Sequence, residues 1–306
     1  KNMELQWNGI MPAVTTKFND DDSLDMAMFG VNIEAQIEAG VNGIILGGTL
    51  GEASTLTKEE KKVLIETTVA ISNGRVPVII NIAEQSTTDA IEAAVNAKIY
   101  GANGLMILPP MRYKADDRET TNYFRKIAES TSLPIMIYNN PVDYGIEVTL
   151  DMLEELADCK NIQAVKESTR DISNVTRMKK RFGDRFKILC GVDTLALESI
   201  LMGADGWVAG LVCAFPRETV AIHNLAKAGR TDEAIAIYRW FLPLLELDIS
   251  TKLVQNIKLA EVATGIGTEN VREPRLPLAG AERKHVLKVI AEGMNSRPEL
   301  PDYLNI

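Results

Sequence analysis

What this 306-residue chain has little of narrows the field first. Its three cysteines, Cys159, Cys190 and Cys213, are odd in number and widely spaced, which supports neither a disulfide framework nor a metal knuckle. Only two histidines occur, His223 and His285, both in helix-patterned segments near the C-terminus, so no histidine set is on hand for a metal. Basic charge is short: 33 Lys and Arg against 42 Asp and Glu leave a net charge of −9, which argues against nucleic-acid and membrane-surface partners. No run of eighteen apolar residues appears, and the first residues lack the apolar stretch of a secretory signal. A cytoplasmic location is the expectation. The remaining composition, 46% hydrophobic and 25% charged, is that of a globular protein, with a small-molecule enzyme the favoured class.

From Gly9 to about Ala209 short β-branched runs alternate with longer segments of helical period. Strands are expected over Gly9–Val14, Gly43–Gly47, Pro77–Asn81, Gly104–Leu108, Pro134–Tyr138, Ile162–Lys166, Phe186–Cys190 and Gly206–Ala209. Eight such modules predict a (β/α)8 TIM barrel rather than an open sheet. Helix starts are marked by Thr57 with Glu60 three residues on, and further helices are expected over Ser86–Tyr100 and Thr149–Ala157. After Phe215 strand signals vanish, and helices are expected over Arg217–Ala228, Thr231–Leu247, Ser250–Thr264 and Ala281–Met294. The division predicted is a barrel with the active site over residues 1–225 and a helical region over 226–306.

Lys166 ends an apolar run, Asn161-Ile-Gln-Ala-Val-Lys166, where a core strand would stop. It reads either as a paired or snorkelling lysine or as an amine that loses its proton and attacks carbonyl carbon. In a barrel the C-terminal strand ends build the active site, and alternation puts Lys166 and Tyr138 at the ends of adjacent strands, meeting at the mouth if their faces point inward. Gly47-Gly-Thr-Leu-Gly-Glu52 follows an apolar strand; it is a structural turn or a nest of backbone N–H groups for a carboxylate. It matches neither a P-loop nor the dinucleotide glycine pattern.

The set Gly48-Thr-Leu-Gly-Glu52, Tyr138-Asn-Asn-Pro141 and Val165-Lys-Glu-Ser168, in that order, resembles the dihydrodipicolinate synthase and N-acetylneuraminate lyase family of Schiff-base aldolases. Leu189-Cys-Gly-Val-Asp193 and the helical C-terminal region extend the likeness over nearly the whole chain. The resemblance implies an imine between a lysine and C2 of a 2-oxo acid, with no cofactor and no metal, in what is usually a homotetramer. By motif, Lys166 resembles the Schiff-base lysine and Tyr138 the proton-relaying tyrosine. Thr49, with Gly48 and the backbone of Leu50, resembles the loop that binds the substrate carboxylate. Gly191 and Val208 align with pocket-lining positions, and Met111, Asn140 and Asp143 fall in substrate-contacting segments. Glu52 is read as a loop-stabilising acceptor of backbone hydrogen bonds.

Two departures from the synthase stand out. Pro109-Pro-Met111 puts methionine where the synthase carries a second tyrosine, so its relay through the threonine is expected to be absent. Val142-Asp-Tyr-Gly145 replaces the arginine that holds the carboxylate of aspartate semialdehyde, and Asp143 is expected to repel that substrate. The synthase itself is therefore not expected. The Tyr138-Asn-Asn-Pro141 run, Leu50 and Cys190-Gly-Val-Asp-Thr-Leu-Ala-Leu197 look most like subgroup members that deaminate 1-pyrroline-4-hydroxy-2-carboxylate to 2,5-dioxopentanoate. Pyruvate-releasing retro-aldolases or hydratase-aldolases, of the 2-keto-3-deoxy sugar acid or hydroxybenzylidenepyruvate type, are the alternative. A metal-dependent aldolase and a non-catalytic 2-oxo acid binding member remain as competitors of other classes. The first is disfavoured by the histidine count and the second by the retention of both Lys166 and Tyr138.

Overall fold

A computed structural model of the chain describes residues 3–110 and 112–306, so Met111 lies outside the described residues. The apolar runs form eight strands: β1 Gly9–Pro12, β2 Ile44–Leu46, β3 Val78–Ile82, β4 Gly104–Ile107, β5 Ile135–Asn139, β6 Ile162–Glu167, β7 Lys187–Cys190 and β8 Gly206–Ala209. All the pairings between them are parallel, in the order β1-β8-β7-β6-β5-β4-β3-β2. The ring closes between β1 and β2 through a parallel bridge from Ala13 to Ile45, and the Val14 N–H donates to the Ile45 carbonyl at 3.1 Å. That seam explains why β1 stops at Pro12, short of the expected Val14. The strands are buried almost throughout, as expected of parallel strands covered on both faces.

Helices follow the strands: α1 Met26–Ala39, α2 Lys58–Ser72, α3 Thr87–Ile99, α4 Asp117–Glu129, α5 Pro141–Tyr144, α6 Leu150–Leu156, α7 Ser173–Phe182, α8 Ala196–Leu201 and α9 Pro216–Lys227. Thr57 and Glu60 form the expected reciprocal cap on α2, and Ser86 and Thr149 cap α3 and α6. Helix α9 packs against β1, β8 and α1, and so completes the outer layer. Three more helices follow, α10 Thr231–Leu245, α11 Leu253–Thr264 and α12 Gly280–Asn295.

Helix α10 is shorter than the expected Thr231–Leu247, because the chain tightens into a 3-10 turn over Glu246–Asp248. Helix α11 starts three residues after the expected Ser250, whose Oγ accepts the Lys252 N–H at 3.0 Å and holds a turn instead. This break carries Asp248 onto the barrel mouth. Among the described residues no helix is long and apolar enough to cross a membrane.

Candidate active site

Strand register alone places the two central groups. Tyr138 of β5 pairs directly with Lys166 of β6, and parallel partners point to the same face. The Lys166 Nζ lies 3.8 Å from the centroid of the Tyr138 ring, with the lysine only 7% exposed. No hydrogen bond or ion pair reaches this amine from any described residue, which removes the paired-lysine reading. Burial lowers its pKa to about 8, against the upward pull of the neighbouring Tyr144, Asp248 and Asp193. A fraction of the amine is therefore neutral near physiological pH. Gly191, at the end of β7, keeps this space open: a Cβ there would sit 2.1 Å from the Ser168 Oγ and 2.7 Å from the Lys166 Cε.

The loop after β2 folds as a tight turn across the mouth. A Cβ at Gly51 would crowd the Gly47 backbone nitrogen at 3.1 Å, and Glu52 takes a left-handed φ of 56°. The N–H groups of Thr49 and Leu50 donate to no acceptor among the described residues, as a carboxylate-binding nest requires. Beneath the turn the Asn81 amide donates to the Gly47 carbonyl at 3.1 Å and the Thr16 hydroxyl to the Gly51 carbonyl at 2.7 Å. Glu52 is fully buried. It accepts the Arg272 N–H at 2.9 Å, as its backbone-acceptor reading implies, and also pairs with Lys258 at 2.7 Å. A second fully buried pair joins Lys17, from the segment after β1, to Glu261 of the same helix α11 at 3.1 Å.

Two expectations are corrected here. Position 111 carries no hydroxyl, yet α5 brings a second tyrosine to the threonine: the hydroxyls of Thr49 and Tyr144 are 2.8 Å apart, and the Tyr144 ring stands edge-on to Tyr138 at 5.6 Å. Burial, followed by the neighbouring Tyr138, pushes Tyr144 up to about 12, so it rests as a neutral proton donor. Asp143 is not a free repelling charge either. Arg170, in the loop after β6, donates to it at 3.1 Å and to the Asn140 side-chain Oδ1 at 2.7 Å. Arg170 holds this position with a left-handed φ of 66°, a conformation a non-glycine residue adopts only when its surroundings enforce it.

Asn140 is the hub of that network. It caps α5 by accepting the Asp143 N–H at 3.1 Å and donates to the Tyr138 hydroxyl at 3.2 Å. Sequence reading missed Tyr144, although Asn140-Pro141 opening a turn that Gly145 closes is a one-turn helix signal. It also missed Arg170 and Asp248, which no local pattern marks. Of the other expected pocket residues, Leu50 packs beside Gly210 at the end of β8, and Val208 is buried in β8 opposite Met11. Cys190 is buried at the end of β7, with burial pushing its thiol up to about 11.

Comparison with known proteins agrees with this geometry. Residues 6–292 match the model of the Dihydrodipicolinate synthetase family. The chain is 32% identical over 287 residues to the 4-hydroxy-tetrahydrodipicolinate synthase of Exiguobacterium sibiricum, covering 93% of this chain and 97% of that protein. It is 30% identical to the enzyme of that name from Methanothrix thermoacetophila, covering 94% and 97%. The solved chloride-inhibited dihydrodipicolinate synthase of Acinetobacter baumannii, complexed with pyruvate, superposes with a TM-score of 0.90 at 27% identity, over 94% of this chain and 99% of that one. Relatives bearing the synthase name lend no support to the expectation that this chain is something else. The chain belongs to the dihydrodipicolinate synthetase family, enzymes of the Schiff-base, class I aldolase type.

Proposed function

We infer that Lys166 forms an imine with C2 of a 2-oxo acid or cyclic imino acid, and that the substrate is 1-pyrroline-4-hydroxy-2-carboxylate. The observation that carries the imine is a buried amine with no hydrogen-bonded or ion-paired partner among the described residues, lying against a tyrosine ring. The substrate carboxylate is assigned to the free N–H groups of Thr49 and Leu50. Lys166 attacks C2 and the ring opens by transimination. Loss of a C3 proton, relayed through Tyr138, Tyr144 and Thr49, gives an enamine that expels the C4 hydroxyl. Hydrolysis then releases ammonia and 2,5-dioxopentanoate.

The charge balance at the mouth favours this substrate over a second carboxylate. Asp143 and Asp193 both act on the site, and Arg170, which could otherwise hold a second carboxylate, is already engaged by Asp143. A neutral hydroxyl suits such surroundings better than an anion. The names of the relatives favour a second reading, condensation of pyruvate with aspartate semialdehyde, in which the substrate would have to displace Asp143 from Arg170.

Pyruvate plus borohydride should leave one mass adduct, at Lys166; an unmodified chain, or an adduct on another lysine, rejects the imine. Ammonia release from the hydroxypyrroline carboxylate, with no condensation of pyruvate and aspartate semialdehyde, separates the two readings. Condensation without ammonia favours the synthase, and pyruvate without ammonia favours a retro-aldolase. Replacing Tyr144 by Phe should lower kcat by ~10²–10³-fold through loss of proton transfer while sparing the pyruvate adduct. A change of less than about threefold in steady-state turnover would remove Tyr144 from the relay.

A further inference from the structure

We propose that Asp248, contributed by the 3-10 turn after α10 and not by any barrel strand, is the general acid that protonates the C4 hydroxyl as it leaves. This rests on the substrate reading above. The Asp248 carboxyl is partly buried beside Gly210: a Cβ on that glycine would lie 3.0 Å from the Asp248 Oδ1, 3.2 Å from the Leu50 side chain and 3.3 Å from the Ile257 side chain. It therefore sits at the mouth, near Leu50 of the loop assigned to the substrate carboxylate. Among the described residues nothing hydrogen-bonds or ion-pairs with it. The amine of Lys166 and the carboxyl of Asp248 lie close enough for each to shift the other's protonation.

The neighbouring acid decides which carboxyl keeps a proton. Burial pushes the Asp193 carboxyl up, but it accepts the Trp207 indole N–H at 3.0 Å, the Gly210 N–H at 3.1 Å and the Leu211 N–H at 3.0 Å, all of which favour its ionised form. Asp248 has no such donors, and two like charges in one partly dry site do not both ionise. Burial, and next the Asp193 charge, hold the Asp248 carboxyl well above the usual carboxylate range, against the pull of Lys166 and Arg170 and with the added push of Asp143. Of the two carboxyls, Asp248, which lacks donors among the described residues, is the one assigned the proton.

In the step assigned to it, the enamine electrons form a C3–C4 double bond as the C4–O bond breaks. The Asp248 proton passes to the departing oxygen, water leaves, and the carboxylate is reprotonated from solvent. Nothing is oxidised or reduced.

The test uses Asp248→Asn and Asp248→Glu with the 4-hydroxy substrate and its 4-chloro analogue, whose leaving group needs no proton. The expected result for Asp248→Asn is a ~10²–10³-fold fall in ammonia release from the hydroxy compound but less than ~10-fold from the chloro compound. Asp248→Glu recovers part of the loss, and both variants keep the pyruvate adduct at Lys166. Equal losses on the two substrates, no loss on either, or loss of the adduct in both variants would overturn the assignment. A wild-type enzyme that forms the adduct yet releases no ammonia overturns the substrate reading and this role together, whereas one that forms no adduct overturns the imine itself.

Discussion

Replacing Lys166 by methionine is expected to end turnover and borohydride trapping while making the protein more stable at neutral pH. The amine is placed for chemistry at a cost to folding. Its pKa falls from an ordinary 10.5 to about 8 because burial disfavours the charged form, and at about 1.4 kcal/mol per pH unit this corresponds to roughly 3 kcal/mol. The sign follows from protons bound. Below pH 8 the lysine is charged in both states and the full penalty applies; between about 8 and 10.5 the unfolded chain holds more protons, so stability rises with pH; above 10.5 the penalty is gone. The methionine variant should therefore be more stable by about 3 kcal/mol at pH 7, with the advantage fading by pH 10.5. Denaturant titrations at the two pH values measure this, and an equal or lower stability at pH 7 would refute it. In the wild type, imine formation should climb about tenfold per pH unit below pH 8 and level off above it, because only the neutral amine attacks.

The second large effect is expected at the buried pair under the glycine-rich turn. Glu52 and Lys258 are both fully buried, and each is the other's only charged hydrogen-bond partner among the described residues. Lys258→Met leaves the Glu52 carboxylate in the interior with a single backbone donor, at a cost of about 3–5 kcal/mol. The double variant Glu52→Gln, Lys258→Met removes both charges and should recover much of that loss. Chemical denaturation of the two single variants and the double one forms a cycle; additive losses would mean that the two side chains act independently. Because Glu52 ends the turn that presents the Thr49 and Leu50 N–H groups, the single variant should also raise the KM for the 2-oxo acid.

The legible parts of this molecule were those written in local pattern. Apolar runs of strand length, helix caps such as Thr57 with Glu60, and side-chain alternation sufficed for eight strands and for Tyr138 beside Lys166. What escaped depends on partners distant in sequence. Asp143 read as a bare negative charge because Arg170 reaches it from the loop after β6. Tyr144 was hidden in a four-residue helix too short for any periodic signal. Asp248 falls just past the end of the expected helix Thr231–Leu247, and nothing in Leu247-Asp248-Ile249 says that the backbone tightens there and turns inward. Glu52 was correctly read as an anchor for its loop, but its cation lies 206 residues away on α11.

The 2.8 Å contact between Thr49 and Tyr144 also bears on mass action. Both hydroxyls belong to one polypeptide, so bringing them together is a unimolecular event settled at folding. Dilution, or a weakened contact between copies, leaves the pair intact, and the local concentration of one hydroxyl around the other is set by the length of chain between them. The persistence of this contact follows from folding alone.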